Sequence, residues 1–495
     1  MGSLIEYWYY TKDDSYVDLA QQGLLFQTGE YNDYMPMNQT TTEGNDDQGF
    51  WAAAVMSAAE YNFPHPGGDK PSWLALAQAV FNTQVPRWDT TVCNGGLRWQ
   101  IFPWNKGYDY KNTISQGTFF SLAARLALYT GNETYADWAV KTWDWMTGVG
   151  YINDKWYVSD GAHTRDNCTK INGAQYTYNA GIFILGSAAM YNFTEEAVWK
   201  ERLDGLLQGA EVFMADYMYK RTVMQEIVCE GWRGCNTDQL SFKAYLSRWL
   251  ATATQWAPDT YDKVIPWLRE SAVAATKQCQ GGYNGRMCGH QWQIGWNTGL
   301  WDGTIGAGQQ MSALEVTLGC MIKHRDPILR SDNGGTSKSD PGAGTQPKSF
   351  DPMEKRYGPI TMRDRLSAGF ITAVIIGLFI AGICCLLVDE DRPKEEDKKT
   401  TGETNGASGA KNTTHKRPGR KPKLFWGWSG DPSIRSGEVV ELGNLQAATQ
   451  PAQSSVAPSR MNGAEGPGPN TRTTRRGWDW LKRGVSDYNT GSRAS

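Results

Sequence analysis

Five short apolar segments recur along the chain at nearly constant spacing, and that spacing restricts the available folds more than any other feature. Each opens on a small residue: Gly49 in DQGFWAAA, Gly117 in SQGTFFSLAARLALY, Gly181 in NAGIFILGSAAMY, Ala244 in FKAYLSRWLAT and Gly308 in GAGQQMSALEVTLG. The intervals are 68, 64, 63 and 64 residues. Small or apolar residues occupy nearly every face of each segment, as in a helix buried all round. A more amphipathic helical stretch follows each of the first four: PSWLALAQAVFNTQV, TYADWAVKTWDWMTGV, EEAVWKERLDGLLQGAEVFM and DKVIPWLRESAVAATKQC. Buried and amphipathic helices alternating at a fixed period describe hairpins with one helix inside and the other outside. IEYWYY near the start reads as the stump of a further inner helix, and six hairpins close an (α/α)6 toroid. An open α-solenoid obeys a similar period, but loops carrying Trp, Gly, Asn and Asp suit a cleft at one end of a ring. The expected fold is therefore all-α, with residues 1–325 forming the toroid and its N-terminal hairpin truncated.

In this register the residues just before each small one gather at one rim. They include Asn45, Asp46 and Asp47 of the first segment, Tyr176, Tyr178 and Asn179 of the third, and Lys243 of the fourth. Neighbouring loops add Arg98, Trp99 and Gln100, then Lys111 and Asn112, Asp238, and finally Trp301 and Asp302. Flat aromatics stack on sugar faces while amides and carboxylates bind hydroxyls, so the mixture suits a carbohydrate. Asp46 and Asp47 stand side by side where a buried helix begins, and each raises the work of ionising the other. Glycoside hydrolysis needs one carboxylate ionised and a second protonated, and a retaining reaction wants the two ~5–5.5 Å apart. The competing role for such a pair is to cap the helix by accepting its free N–H groups. One aspartate can cap while the other reacts.

Other chemistries find little support. The chain has five His without metal-ligand spacing and no HExxH, GxSxG elbow or P-loop. Neither a metal nor an organic cofactor is expected. A formal charge of −3 gives no reason to expect a nucleic-acid partner.

Composition changes after about residue 330. SDNGGTSKSDPGAGTQPKSFDP lacks an apolar period, and residues 326–366 read as a linker. GFITAVIIGLFIAGICCLLV, residues 369–388, then runs without a charge at the ~20-residue length of a transmembrane helix. Residues 389–495, rich in Gly, Ser, Thr and Pro, read as a disordered cytoplasmic tail with basic runs and scattered Trp. Sequons at Asn38, Asn132, Asn167 and Asn192 precede the span, as do seven of the nine cysteines. Cys229 with Cys235 and Cys279 with Cys288 are spaced for short bridges, and Cys93 and Cys168 are available for a longer one. The combination predicts a single-pass protein of the plasma membrane with its folded domain outside. MGSLIEYWYY has no signal-peptide character, so this sequence is expected to begin inside its own first hairpin.

Six ordered blocks resemble a known family: YNDYMP with GNDDQGFWAAAVMSAAEYNFP, CNGGLRWQIF, YDYKNTISQG, QYTYNAGIFI, CNTDQLSFKAYLSRWL and WDGTIGAGQQMSALE. Over about residues 4 to 320 the chain resembles glycoside hydrolase family 76, in particular fungal cell-wall endo-α-1,6-mannanases of the defective-in-filamentous-growth type. The resemblance implies an (α/α)6 fold and a retaining attack on α-1,6-linked mannose, with Asp46 as nucleophile and Asp47 as general acid/base. It also implies α-1,6-mannan or a GPI-core glycan as substrate and β-glucan as a conceivable acceptor, hence hydrolysis or transglycosylation. Relatives of this kind often end in a GPI signal, whereas here more than a hundred residues follow the span, which favours a permanent anchor. A catalytically inactive membrane receptor for glycans is the alternative the long tail suggests.

Overall fold

The structure, a computed structural model, describes residues 1–36, 38–39, 42–214, 222–336, 339–345 and 361–390, with side chains omitted at 295–297 and 385–390. The first hairpin pairs α1 (Gly2–Thr11) with α2 (Val17–Phe26), and the second α3 (Asn45–Glu60) with α4 (Trp73–Gln84). The next three pair α5 (Thr113–Thr130) with α6 (Glu133–Gly148), α7 (Thr177–Thr194) with α8 (Ala197–Gly209), and α9 (Phe242–Trp256) with α10 (Tyr261–Lys277). A short helix α11 (Trp292–Thr298) precedes α12 (Ala307–Gly319). Helices α1, α3, α5, α7, α9 and α12 each pack on the next, and α12 packs back on α1. The inner ring is therefore closed. At ten residues α1 is its shortest member, yet it holds the sixth position.

The repeating small residue has a steric cause. A Cβ at Gly49 would strike Thr118 of α5, one at Gly117 would strike Ile182 of α7, and one at Gly181 would lie 3.1 Å from the Leu246 Cα of α9. Each repeat is thus small where the next inner helix comes closest. All 18 residues of α5 are buried, which accounts for the absence of a polar face along it.

Charge is not excluded from this core. Arg125 on α5 donates from Nε and Nη2 to Glu60 of α3 at 3.0 and 2.6 Å, and from Nη2 to Ser57 Oγ at 2.8 Å. Arg248 on α9 lies between Glu6 and Glu315.

Two hairpins of strand brace the rim. β1 (Tyr110–Asn112) pairs antiparallel with β2 (Gly161–His163), placing Lys111 opposite Ala162. β3 (Cys279–Gly281) pairs with β4 (Met287–Cys288). Disulfides join Cys93 to Cys168, Cys229 to Cys235 and Cys279 to Cys288.

The first part of the expected linker runs along the helix ends opposite the cleft. Leu329 N–H donates to Glu60 O at 2.9 Å, and Ser331 N–H donates to Leu128 O at 3.0 Å. Helix C-termini leave carbonyls without intrahelical donors, and an irregular polar segment can supply them. Arg330 donates to Asn192 Oδ1 at 2.6 Å while Asn192 Nδ2 donates to Trp256 O at 2.8 Å. The fourth sequon is therefore held inside the last turn of α7, whereas Asn38, Asn132 and Asn167 are exposed.

In the second unit, Arg363–Arg475, the described residues form one helix, α13 (Met362–Glu390). The most apolar 18-residue window of Met362–Cys384 has a mean hydropathy of 2.4, and Phe370, Ile371, Leu378 and Phe379 are all exposed. A helix this apolar beyond its first turn has the character of a membrane span. The expected tail lies outside the described residues beyond 390.

Candidate active site

Gly44 enters α3 in extended conformation, with φ −93° and ψ 165°. Its N–H donates to Asp47 Oδ2 at 2.8 Å, so Asp47 supplies the reciprocal half of a helix cap. The Asp47 N–H in turn donates to Asp46 Oδ1 at 3.1 Å. The pair is thus both cap and candidate reaction centre. A Cβ on Gly44 would collide with Asp46 Oδ1 and lie 3.1 Å from Asp47 Oδ2. Two oxygens that close to one point lie nearer each other than the ~6.5–9.5 Å of an inverting pair. Gly44→Ala is expected to keep the fold, since Ala tolerates this φ, and to lower turnover at least tenfold by spreading the carboxylates. Circular dichroism and kcat on an α-1,6-mannooligosaccharide check both halves.

The loop 98–100 fastens this helix start. Asn45 N–H donates to Trp99 O at 2.9 Å and Asn45 Nδ2 to Arg98 O at 2.9 Å. Arg87 donates to Asn45 Oδ1 at 3.0 Å and to Gln48 Oε1 at 2.7 Å. Asp46 is half-buried, and burial first, then the Asp47 charge, push its carboxyl well above the usual range; bonds from the Asp47 N–H and the Trp99 side chain offset this only in part. Asp47 is the exposed member. Adjacent carboxyls titrate as a unit, so the upward shift belongs to the pair.

Aromatics form the wall opposite. Tyr178 stacks on Phe242 with centroids 3.7 Å apart and planes at 7°, and Tyr176 meets both edge-on. Burial, then the charges of Asp160 and Asp46, push the Tyr178 phenol up, so that ring is within electrostatic reach of Asp46. Trp99 lies against Gly107, whose φ of +99° lets the loop fold over the indole.

Several residues expected at the sugar lie behind the wall instead. Lys111 is fully buried and donates to the carbonyls of Asp89, Val92 and Gly95 at 2.6–2.8 Å. Lys243, also fully buried, donates to Glu230 Oε2 at 2.9 Å and His290 O at 2.6 Å. Asp302 accepts from the N–H groups of His290, Gln291 and Thr304 at 2.7–2.8 Å, bracing a loop. Asn45, Gln100, Asn112 and Asn179 are buried as well. Arg98 is tied to Asp89 at 2.8 Å and lies over Tyr108. Trp301 donates to Thr304 O at 2.9 Å, and Asp238 is exposed at the edge. Lys111, Lys243 and Asp302 share a cause: a rim built of irregular loops has many backbone carbonyls and N–H groups to satisfy, and these polar side chains do it.

Sequence reasoning missed Asp160, which accepts from Tyr110 Oη at 2.8 Å and Asn172 Nδ2 at 3.1 Å, close to the Tyr176–Tyr178 wall. It also missed Glu226, fully buried, which accepts the Thr177 N–H and hydroxyl at 3.2 and 2.6 Å and so caps α7 from outside its own segment. No local pattern marks either residue, because their partners lie distant in sequence. Burial pushes the Glu226 carboxyl up to about 8. Between the ordinary value, 4.5, and about 8 the unfolded chain releases this proton and the folded chain keeps it. Stability from this group is therefore full below 4.5 and lost as pH rises toward 8. Glu226→Gln is expected to match wild type at pH 4 and to gain on it above, by up to roughly 1.4 kcal/mol per pH unit, in urea unfolding across that range.

Among the described residues no group of three His, Cys, Asp or Glu side chains could hold a metal ion.

The sequence model for glycosyl hydrolase family 76 matches residues 1–332. The mannan endo-1,6-alpha-mannosidase DCW1 of Saccharomyces cerevisiae is 47% identical over 391 residues, spanning 78% of this chain and 84% of that protein. The mannan endo-1,6-alpha-mannosidase DFG5 of the same yeast is 45% identical over 389 residues, 78% of this chain and 83% of that one. The crystal structure of Dfg5 from Chaetomium thermophilum in complex with glucosamine is similar at TM-score 0.66 and 47% identity, covering 70% of this chain and 84% of that one. An alpha-1,6-mannanase of Salegentibacter shares the fold at TM-score 0.50 and 19% identity, over 64% of this chain and 86% of that one.

Proposed function

Given that the chain belongs to glycosyl hydrolase family 76, we propose that it is a retaining mannan endo-1,6-α-mannosidase whose reaction centre is Asp46 and Asp47. The observation that carries the reading is the convergence of both carboxyls on Gly44 beside an aromatic wall. Asp46, the deeper of the two, attacks the anomeric carbon from beneath the sugar. Asp47, the exposed one, protonates the departing oxygen and then takes a proton from the incoming acceptor. Attack needs Asp46 ionised and Asp47 protonated, against the burial that pushes the Asp46 carboxyl up, so the proton the pair shares must sit on Asp47 at that moment. Water as acceptor gives hydrolysis, and a sugar hydroxyl gives transglycosylation. The substrates that fit this reading are α-1,6-mannan and the mannose core of GPI-linked glycoproteins, with wall β-glucan as acceptor in the transfer reaction. Trp99, Tyr176 and Tyr178 would contact the sugar, and the buried Asn45, Lys111, Asn112 and Lys243 would hold those groups in place.

The test is cleavage of linear α-1,6-mannooligosaccharides followed by proton NMR. First-formed products of α configuration support the mechanism, and β products overturn it. In the same reading α13 anchors the enzyme in the plasma membrane with its cleft domain outside. Deleting residues 369–388 is expected to move the protein from the membrane pellet to the soluble fraction with cleavage retained, as fractionation and assay would show.

A further inference from the structure

Trp232 is the outlier of the rim. Its side chain is 71% exposed, more than any other described tryptophan of this domain. It is nevertheless held. Its indole N–H donates to Val228 O at 2.9 Å, and one ring face lies directly on Gly234, where a Cβ would overlap the indole. Arg233 between them takes the left-handed conformation, φ +58°, that folds the chain back under the ring. The Cys229–Cys235 disulfide closes this turn, and Gly234 N–H donates to Cys229 O at 3.0 Å across it. From the same loop Glu230 accepts from the buried Lys243 of α9. A large apolar face kept in water, with its polar atom satisfied and its motion removed, is arranged for a ligand rather than for the core.

The loop leads into the cleft. Its continuation places Gln239, whose amide donates to Tyr176 Oη at 3.5 Å, and Tyr176 belongs to the aromatic wall facing the aspartates. The loop that carries Trp232 is polar or small in sequence on both sides of it, with Gly231, Arg233, Gly234 and Asn236. A protein-binding patch would call for contiguous apolar area, whereas a single rigid aromatic plane among hydrogen-bonding groups fits the CH face of a hexose.

We propose that Trp232, backed by Gly234, is a remote sugar-stacking subsite that binds the α-1,6-mannan chain several residues from the bond being cut. The proposal rests on the family-76 reading, and it adds a dependence on chain length. The full chain in detergent is assayed with α-1,6-mannooligosaccharides of increasing length, as wild type, Trp232→Ala and Gly234→Ala, the last displacing the indole without removing it. Wild-type KM is expected to fall as the oligosaccharide lengthens. Both variants should lose that fall, with KM for the longest substrates raised roughly tenfold and kcat kept. Binding to the same oligosaccharides by calorimetry in an Asp46→Asn background gives the answer even where no bond is cut, which separates failure of the subsite from failure of the enzyme reading. Retained length dependence in both variants overturns the proposal. So does a loss confined to β-glucan oligosaccharides, which would make the ring an acceptor platform.

Discussion

Asn in place of Asp46 is expected to leave the fold intact and cut turnover of α-1,6-mannooligosaccharides by about 10³-fold or more, because no other carboxyl on α3 can attack from that depth. Asn in place of Asp47 should cost about 10²–10⁴-fold on the same substrates, the range for a general acid/base. An aryl α-mannoside with a good leaving group separates the two. It needs no proton on departure, so Asp47→Asn should give a rapid burst of phenol followed by slow release of the trapped sugar. Asp46→Asn should show neither phase. The reverse pattern would assign attack to Asp47, an outcome worth testing because burial pushes the Asp46 carboxyl up. The pH profile of kcat/KM should be a bell belonging to the pair. Activity rises as the first proton leaves and falls as the second leaves, the second departing well above the usual carboxylate range.

Arg125→Met should cost about 3–5 kcal/mol, the penalty for stranding a buried ionised partner. Glu60 is 1% exposed, and Arg125 supplies two of its hydrogen bonds. The pair joins α3 to α5, so the loss would be felt where the reactive helix is seated against its neighbour. Urea unfolding measures it. The double variant Arg125→Met, Glu60→Gln should recover much of the loss, since a buried pair contributes little net stability beyond satisfying its own charges. A double variant as unstable as Arg125→Met would mean the arginine acts through packing, its stem filling space between the two helices.

The repeat was legible because close packing imposes itself on every turn of an inner helix. Gly49, Gly117 and Gly181 recur where neighbouring helices touch, and a chain cannot place a Cβ there without moving a helix. The same register brought out Asp46 and Asp47, since a helix start is a local event whose residues adjoin in sequence. Two disulfides join cysteines close in sequence, whereas the bridge from Cys93 to Cys168, 75 residues apart, was only one pairing the sequence allowed. The division of the remaining rim residues into sugar contacts and wall braces was not legible. Lys111 and Lys243 have the chemistry of ligand-binding cations, but whether an ammonium meets a sugar or three carbonyls depends on loops folded from distant segments.

What the sequence determined alone was therefore whatever rests on period and adjacency: the all-α toroid, the carboxylate pair and the apolar span. Tertiary structure decided three further things. It closed the ring through the short α1, laid the 325–336 segment across the helix ends, and tied the amide of the Asn192 sequon between Arg330 and Trp256. It also revealed Asp160, Glu226 and the backed face of Trp232. The physical reason is common to all of these. Helical period and steric size are written in neighbouring residues, whereas the burial that shifts a carboxyl and the hydrogen bonds that occupy a polar side chain come from parts of the chain that meet only after folding.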